Sequence, residues 1–144
     1  VAKIKGLDKV IKELKTYGEK AEKEIEIITE GVAGEIVDDA KEIAKSKKVW
    51  DNGNLVRGIN KEPTKDKDLS YTIFAREKYS AYQEFGTGGL VNVPTEMKGI
   101  ASLFKGANIK KINIKPRPYM YPALLNGRKP FIDGLKQLLK ELSK

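Results

Sequence analysis

Apolar positions in the first third of the chain recur at Leu7, Val10, Ile11, Leu14, Ala21, Ile25, Ile28, Val32, Ile36, Ala40 and Ile43. The steps are three, four or seven residues, which is one stripe along a helix. The pattern predicts a long helix over residues 7–46. Gly6 and Asp8 stand near its start and Lys45, Lys47 and Lys48 near its end, an arrangement that suits the helix dipole. Such a helix spans roughly 60 Å at 1.5 Å per residue. A globule of this chain length has a radius of gyration of only about 15 Å. Unless Gly31 and Gly34 break the helix and fold it back, part of the stripe overhangs the domain. Ile25, Ile28, Val32 and Ile36 are then the candidate intersubunit interface.

The pattern changes after Trp50. Asp51, Asn52, Gly53 and Asn54 form a turn signature. Residues 55–60 are expected as a first strand, and 61–68, with Pro63 among charges, as a solvated loop or hairpin end. Residues 69–75 are β-branched and aromatic, with Leu69, Tyr71, Ile73 and Ala75 on one face, and predict a second strand. Tyr79, Tyr82 and Phe85 stand three apart, which suits a short helical turn ended by Gly86. Pro94 and Thr95 open a minor helix bearing Met97, Ile100, Ala101 and Phe104, closed by Gly106. Ile109, Ile112 and Ile114 lie in a basic strand before Pro116. A helical segment over 119–143 follows, in which Pro122 is tolerable only in the first turn. Asn126 and Gly127 are expected to kink it and Pro130 to restart it. Phe131, Leu135, Leu138, Leu139 and Leu142 make its apolar side. The sum is one α+β domain over residues 1–144. In it the two terminal helices pack on one face of a small, mostly antiparallel sheet region (51–118) that carries a basic excursion (88–116).

Composition narrows the chemistry. The 144 residues include no cysteine and no histidine, which removes disulfides, thiolate metal sites and the commonest general base. No apolar run approaches the roughly 18 residues of a membrane helix, and no signal-peptide core is visible at the N-terminus. The net charge is +8, unevenly placed. Residues 1–40 hold seven Lys against ten Asp and Glu, a local −3, which leaves +11 for the remainder. Within that remainder, residues 97–132 contain no acidic residue. They carry Lys98, Lys105, Lys110, Lys111, Lys115, Arg117, Arg128 and Lys129. A stretch of this kind meets either phosphate or an acidic protein surface.

No catalytic constellation, metal site or cofactor site is expected. The glycines after Phe85 lack the lysine of a phosphate-binding loop and follow no parallel strand, so a glycine-capped turn is the expected role. Asp38 and Asp39 are neighbours on a helix and point apart. Glu77 and Glu84 could face each other, but Arg76, Lys78 and Arg117 are equally available as partners. Residues 51–54 lack the spaced oxygen ligands of a calcium loop. The run from Arg117 to Pro122 could be a proline-rich ligand or a stacking platform, but a stiff entry into the last helix is favoured. Arg117 has a planar fork able to hold a carboxylate bidentately, with Glu84 the candidate.

Two motifs, YSAYQEFGTG at 79–88 and RPYMYPAL at 117–124, in this order and spacing, resemble the HK97 gene-ten-like family of small phage structural proteins. The segment DNGNLVRGI at 51–59 is similar to the family's turn-Gly-x-Leu-x-Arg pattern. The resemblance runs from about Asp51 to the C-terminus, and the N-terminal segment matches only in kind. It marks Tyr79, Tyr82, Glu84, Phe85, Gly86, Thr87, Arg117, Pro118 and Pro122 as motif residues with a structural role. It implies a non-enzymatic virion protein of the neck or tail-completion class, assembled in the host cytoplasm as a homo-oligomeric ring at the head-to-tail junction. Its partners would be adjacent neck, connector or tail proteins, with DNA passing through the ring. The chain departs from the family pattern at Gly58, where a small hydroxyl residue is usual, and in the long basic insertion between Gly88 and Arg117. The insertion leaves open which ring is formed. A free basic nucleic-acid-binding protein is the alternative function, supported by the acid-free stretch.

Overall fold

The amphipathic first third of the chain forms helix in two pieces. A computed structural model describes residues 7–15, 18–49, 53–103 and 114–143. Helices α1 (Leu7–Lys15) and α2 (Glu19–Ser46) are separated at Gly18, whose φ of 86° and ψ of −165° fall in a region that side chains with a Cβ avoid. The single helix expected over 7–46 is therefore two helices, and the break is at Gly18 rather than at Gly31 or Gly34. Both of those glycines stay inside α2. An interior glycine costs only about 1 kcal/mol relative to Ala, which the tertiary packing of a 28-residue helix readily offsets.

The end of α2 is a Schellman motif built without glycine. The Val49 N–H donates to the Ala44 carbonyl at 2.8 Å and the Lys48 N–H to the Lys45 carbonyl at 3.0 Å. Lys48 holds the left-handed position at φ 55°. Val49 and Ala44, both buried, make the apolar contact that accompanies the motif.

Residues 54–58 form a helical turn, α3 (Asn54–Gly58), and not the first half of a strand. Gly53 precedes it in the left-handed region and its carbonyl accepts the Arg57 N–H. Leu55 and Ile59, four apart, are both fully buried, a spacing that a turn of helix satisfies. Strand β1 is Ile59–Pro63, so Lys61 and Pro63 belong to the sheet and not to the loop. It pairs antiparallel with β2 (Tyr71–Ala75), Ile59 opposite Ala75 and Pro63 opposite Tyr71. These are the strands of the sheet among the described residues. The odd-numbered side chains face α2: Ile59, Ile73 and Ala75 enter the core, and Lys61 reaches the Glu30 carboxylate at 3.3 Å and caps the Tyr71 ring at 5.5 Å.

Short helices α4 (Ser80–Phe85) and α5 (Lys98–Ser102) follow, joined by single 3₁₀ turns at Gly88–Leu90 and Thr95–Met97. The last helix, α6 (Met120–Leu142), runs without interruption through Asn126, Gly127 and Pro130. The expected restart at Pro130 is absent, the helix being continuous there. Gly127 serves a different purpose: it lets α6 press its backbone onto the Ile36 side chain of α2, where a Cβ would collide with Cγ1 and Cδ1.

Helices α2 and α6 are antiparallel partners. Ile25 packs with Phe131, Leu135 and Leu138, Ile28 lies against Gly134, Ile36 against Gly127, and the Asn126 amide donates to Asp39 at 2.8 Å. The main core joins α2 (Ile36, Val37, Ala40, Ala44) to Leu55, Ile59, Tyr119 and Ala123. Ile25 and Ile36 are thus covered by α6 of the same chain, and Ile28 and Val32 are partly covered by it. For Ile25 and Ile36 this cover from within the chain leaves no surface for a second subunit, whereas Ile28 and Val32 keep part of theirs. The reason is geometric: α6 is nearly as long as α2 and lies along it.

Candidate assembly site

The two sequence motifs meet at the start of α6. The Glu84 carboxylate, buried in α4, accepts the backbone N–H groups of Tyr119 (2.8 Å), Met120 (2.9 Å) and Tyr121 (2.9 Å). A helix leaves its first N–H groups without intrahelical partners, and Pro122 contributes none. One carboxylate and one proline therefore account for the whole first turn of α6, with the negative charge at the favourable end of the dipole. The expected Glu84–Arg117 ion pair is not formed. The Arg117 guanidinium instead donates to the carbonyls of Lys47 (3.4 Å) and Lys48 (3.2 Å) at the C-terminal end of α2. The Lys47 ammonium returns a bond of 2.6 Å to the Pro118 carbonyl. Glu84 and Arg117 each end up where a helix terminus presents the opposite partial charge, which a pairing rule between side chains cannot foresee.

Gly86 follows α4 at φ 78° and ψ 178°, and a Cβ there would lie 2.7 Å from the Ile114 carbonyl oxygen and 2.9 Å from Pro116 Cδ. Thr87 fixes the same neighbour twice: its N–H donates to the Ile114 carbonyl at 3.0 Å and its Oγ1 accepts the Ile114 N–H at 2.9 Å. The Arg117 N–H donates to the Gln83 carbonyl at 2.7 Å. Phe85 is buried with Ala81 and Met97, while Tyr79, Tyr82 and Pro118 are half-buried. Tyr119 is almost fully buried. Burial, with Glu84 nearby, holds its phenol well above the ordinary tyrosine range. Gly58, the departure from the family pattern, packs at the exit of β2, where a Cβ would meet Arg76 Cβ at 3.3 Å.

Beside this junction lies a largely apolar cleft of about 260 Å³ between β2, α4, α5 and the start of α6. All five residues of β2 line it, together with Ile36, Phe85, Met97 and Ile100.

Of the basic residues, Lys98, Lys115 and Lys129 are exposed. Arg128 is paired with Glu96 at 3.0 Å, so its charge is not unbalanced as the acid-free stretch suggested. Lys105, Lys110 and Lys111 lie outside the described residues, as do Trp50, Asp51, Asn52, Gly106 and the greater part of the expected strand at Ile109 and Ile112. The opposite charge collects on α2. Between Glu22 and Glu42 the sequence has eight carboxylates against two lysines, and Glu22, Glu24, Glu26, Glu35, Asp38 and Glu42 are exposed. Among the described residues there is no cluster of His, Cys, Asp or Glu able to hold a metal, and no helix long and apolar enough to cross a membrane.

Comparison with curated proteins and with solved structures gives no match. A family model does match, over residues 8–86. The matched range takes in α1 and α2, which resembled the family only in kind, and stops at Gly86, short of the motif at 117–124. More than half of the chain is thereby covered, and the chain belongs to the family described as "Bacteriophage HK97-gp10, putative tail-component".

Proposed function

We propose that this tail-component family member forms a homo-oligomeric ring at the head-to-tail junction of a tailed phage or phage-tail-like particle, as a neck or tail-completion protein. The segregation of charge supports this reading: an acidic α2 face and a basic excursion on one chain make a surface that complements itself head to tail. Contacts of that heterologous kind close into rings when the rotation between copies permits. Lys98, Lys110, Lys111, Lys115 and Lys129 then face the acidic helix of the next copy, while Arg117 and Arg128 serve the fold. Neighbouring neck or tail proteins stack on the ring and DNA passes through it. A channel in which DNA must slide gains little from tight phosphate binding, so protein contact is the favoured role of the lysines.

Changing Lys110, Lys111 and Lys115 together to Glu tests this. Rings seen by electron microscopy of the parent protein should be lost, while the protein binds duplex DNA only weakly at physiological salt. Submicromolar DNA binding that weakens steeply with salt and vanishes in the triple variant would establish the alternative, a nucleic-acid-binding protein.

A further inference from the structure

Nothing in the apolar pattern asks for the break at Gly18. At about 100° per residue, Val10, Ile11, Ala21, Ile25, Ile28 and Ile36 fall within an arc of roughly 100°, so α1 and α2 carry one stripe in one phase. Crowding does not force the break either, since a Cβ at Gly18 would meet nothing within 4 Å. The helix end that the break creates is a poor one. Gly18 supplies no side-chain cap, and the N–H groups of Glu19, Lys20 and Ala21 meet no acceptor among the described residues. A helix continued through residue 18 would close them on carbonyls four residues back.

What a straight helix lacks in an isolated copy is cover. The contacts of Ile36 with Gly127 and of Ile28 with Gly134 set the level of α6 along α2, and by them Leu142, where α6 ends, falls opposite the first turn of α2. Carried on in line with α2, Val10 and Ile11 would stand beyond the end of α6 without an apolar partner. Turned back at Gly18, α1 instead lies against α2 and α6, and Val10 packs on the cluster of Ile25, Phe131, Leu135 and Leu138. One chain by itself can satisfy the helix or the stripe, but not both.

We propose that α1 is exchanged between copies of this chain: in the assembled state α1 and α2 run on as one helix through residue 18, and α1 takes, on a second copy, the place that copy's own α1 has left. The occupant is a second copy because the contact already exists within one chain, and the same two faces meet in the same way between two. Exchange therefore needs no free surface. It restores the hydrogen bonds missing at the break and keeps the apolar contact of Val10. The connection between Lys15 and Glu19 is three residues long, a short hinge of the kind that favours exchange. The inference rests on the self-association of the ring-forming reading above, and not on the charge pairing given for it there.

The absence of cysteine allows a clean test on the full chain. Val10→Cys and Leu139→Cys, at two half-buried members of the same cluster, are combined in one chain and treated with a short bismaleimide over a range of protein concentrations. Links between chains, outnumbering those within one chain as concentration rises, are the expected result. A mixture of the two single variants, refolded together, should likewise join one to the other. Leu142→Cys replaces Leu139→Cys if that chain does not fold. Gly18→Ala, added to the doubly substituted chain, disfavours the break, whose φ of 86° and ψ of −165° are open almost only to glycine, and suits a continuous helix. It should raise the fraction linked between chains at least tenfold at fixed concentration. A lower melting temperature with that fraction unchanged would make Gly18 a turn residue only and overturn the proposal. If Gly18→Ala does not fold, the parent background decides alone: links found only within one chain at every concentration would overturn the proposal outright. Rings in micrographs of the parent protein, with links only within chains, would leave the ring standing without exchange. Links between chains with no rings would leave the exchange standing and remove the ring.

Discussion

Glu84 and Tyr119 are 35 residues apart in sequence, and the carboxylate of one takes the backbone N–H of the other at 2.8 Å. Because the same carboxylate also holds Met120 and Tyr121, removing it strips the first turn of α6 of all its acceptors at a buried site. Each buried N–H left unpaired costs about 1–3 kcal/mol. Glu84→Ala should therefore lower the unfolding free energy by several kcal/mol in urea denaturation, and Glu84→Gln, which keeps one acceptor oxygen, by less.

Gly86 combines a backbone region open almost only to glycine with two contacts under 3 Å for any Cβ. Strain of that kind costs on the order of 1–3 kcal/mol before the collisions are added. Gly86→Ala should lower the melting temperature clearly and Gly86→Val more. Gly89→Ala, three residues on, meets no atom within 4 Å and should melt close to the parent.

Two helical glycines should respond with opposite signs. Gly31→Ala has nothing within 4 Å of the new methyl and relieves backbone entropy, so it should stabilise by roughly 0.5–1 kcal/mol. Gly127→Ala drives a methyl into Ile36 and should destabilise by about 1–3 kcal/mol. Chemical denaturation of the two variants in parallel measures both.

Lys48 occupies the left-handed position of the Schellman motif that glycine ordinarily fills. Its main chain, not its side chain, holds Arg117. Lys48→Gly should keep that bond and raise stability by about 1 kcal/mol, read as an upward shift in melting temperature.

The Tyr119 phenol, held above its ordinary range by burial and by Glu84, gives an alkaline signature. Its proton is bound more tightly in the folded chain than in the unfolded one. The corresponding stability is therefore complete below the unfolded value near 10 and is lost as pH rises beyond it. Tyr119→Phe should flatten this loss above pH 10. At neutral pH it should cost little, since the phenol's bond to the Ser80 carbonyl is a long 3.5 Å.

Local periodicity was enough to find most of the helices, the β2 strand, the glycine-ended turn at 80–86 and the α+β class, because each rests on neighbours within a few residues of one another. Membership of the phage family was legible from motif order, and the reason the two motifs occur together is structural: Glu84 in the first caps the helix that begins in the second. Tertiary contacts decided the rest. The break at Gly18, the helical turn at 54–58 and the unbroken α6 follow from which side chains find cover across the core, and local propensity yields to that. Ile25 and Ile36 look unpartnered in sequence only because their cover, Phe131, Leu135 and the bare backbone at Gly127, lies a hundred residues away. The partners of Glu84 and Arg117 are main-chain groups at helix ends, which have no letter in the sequence.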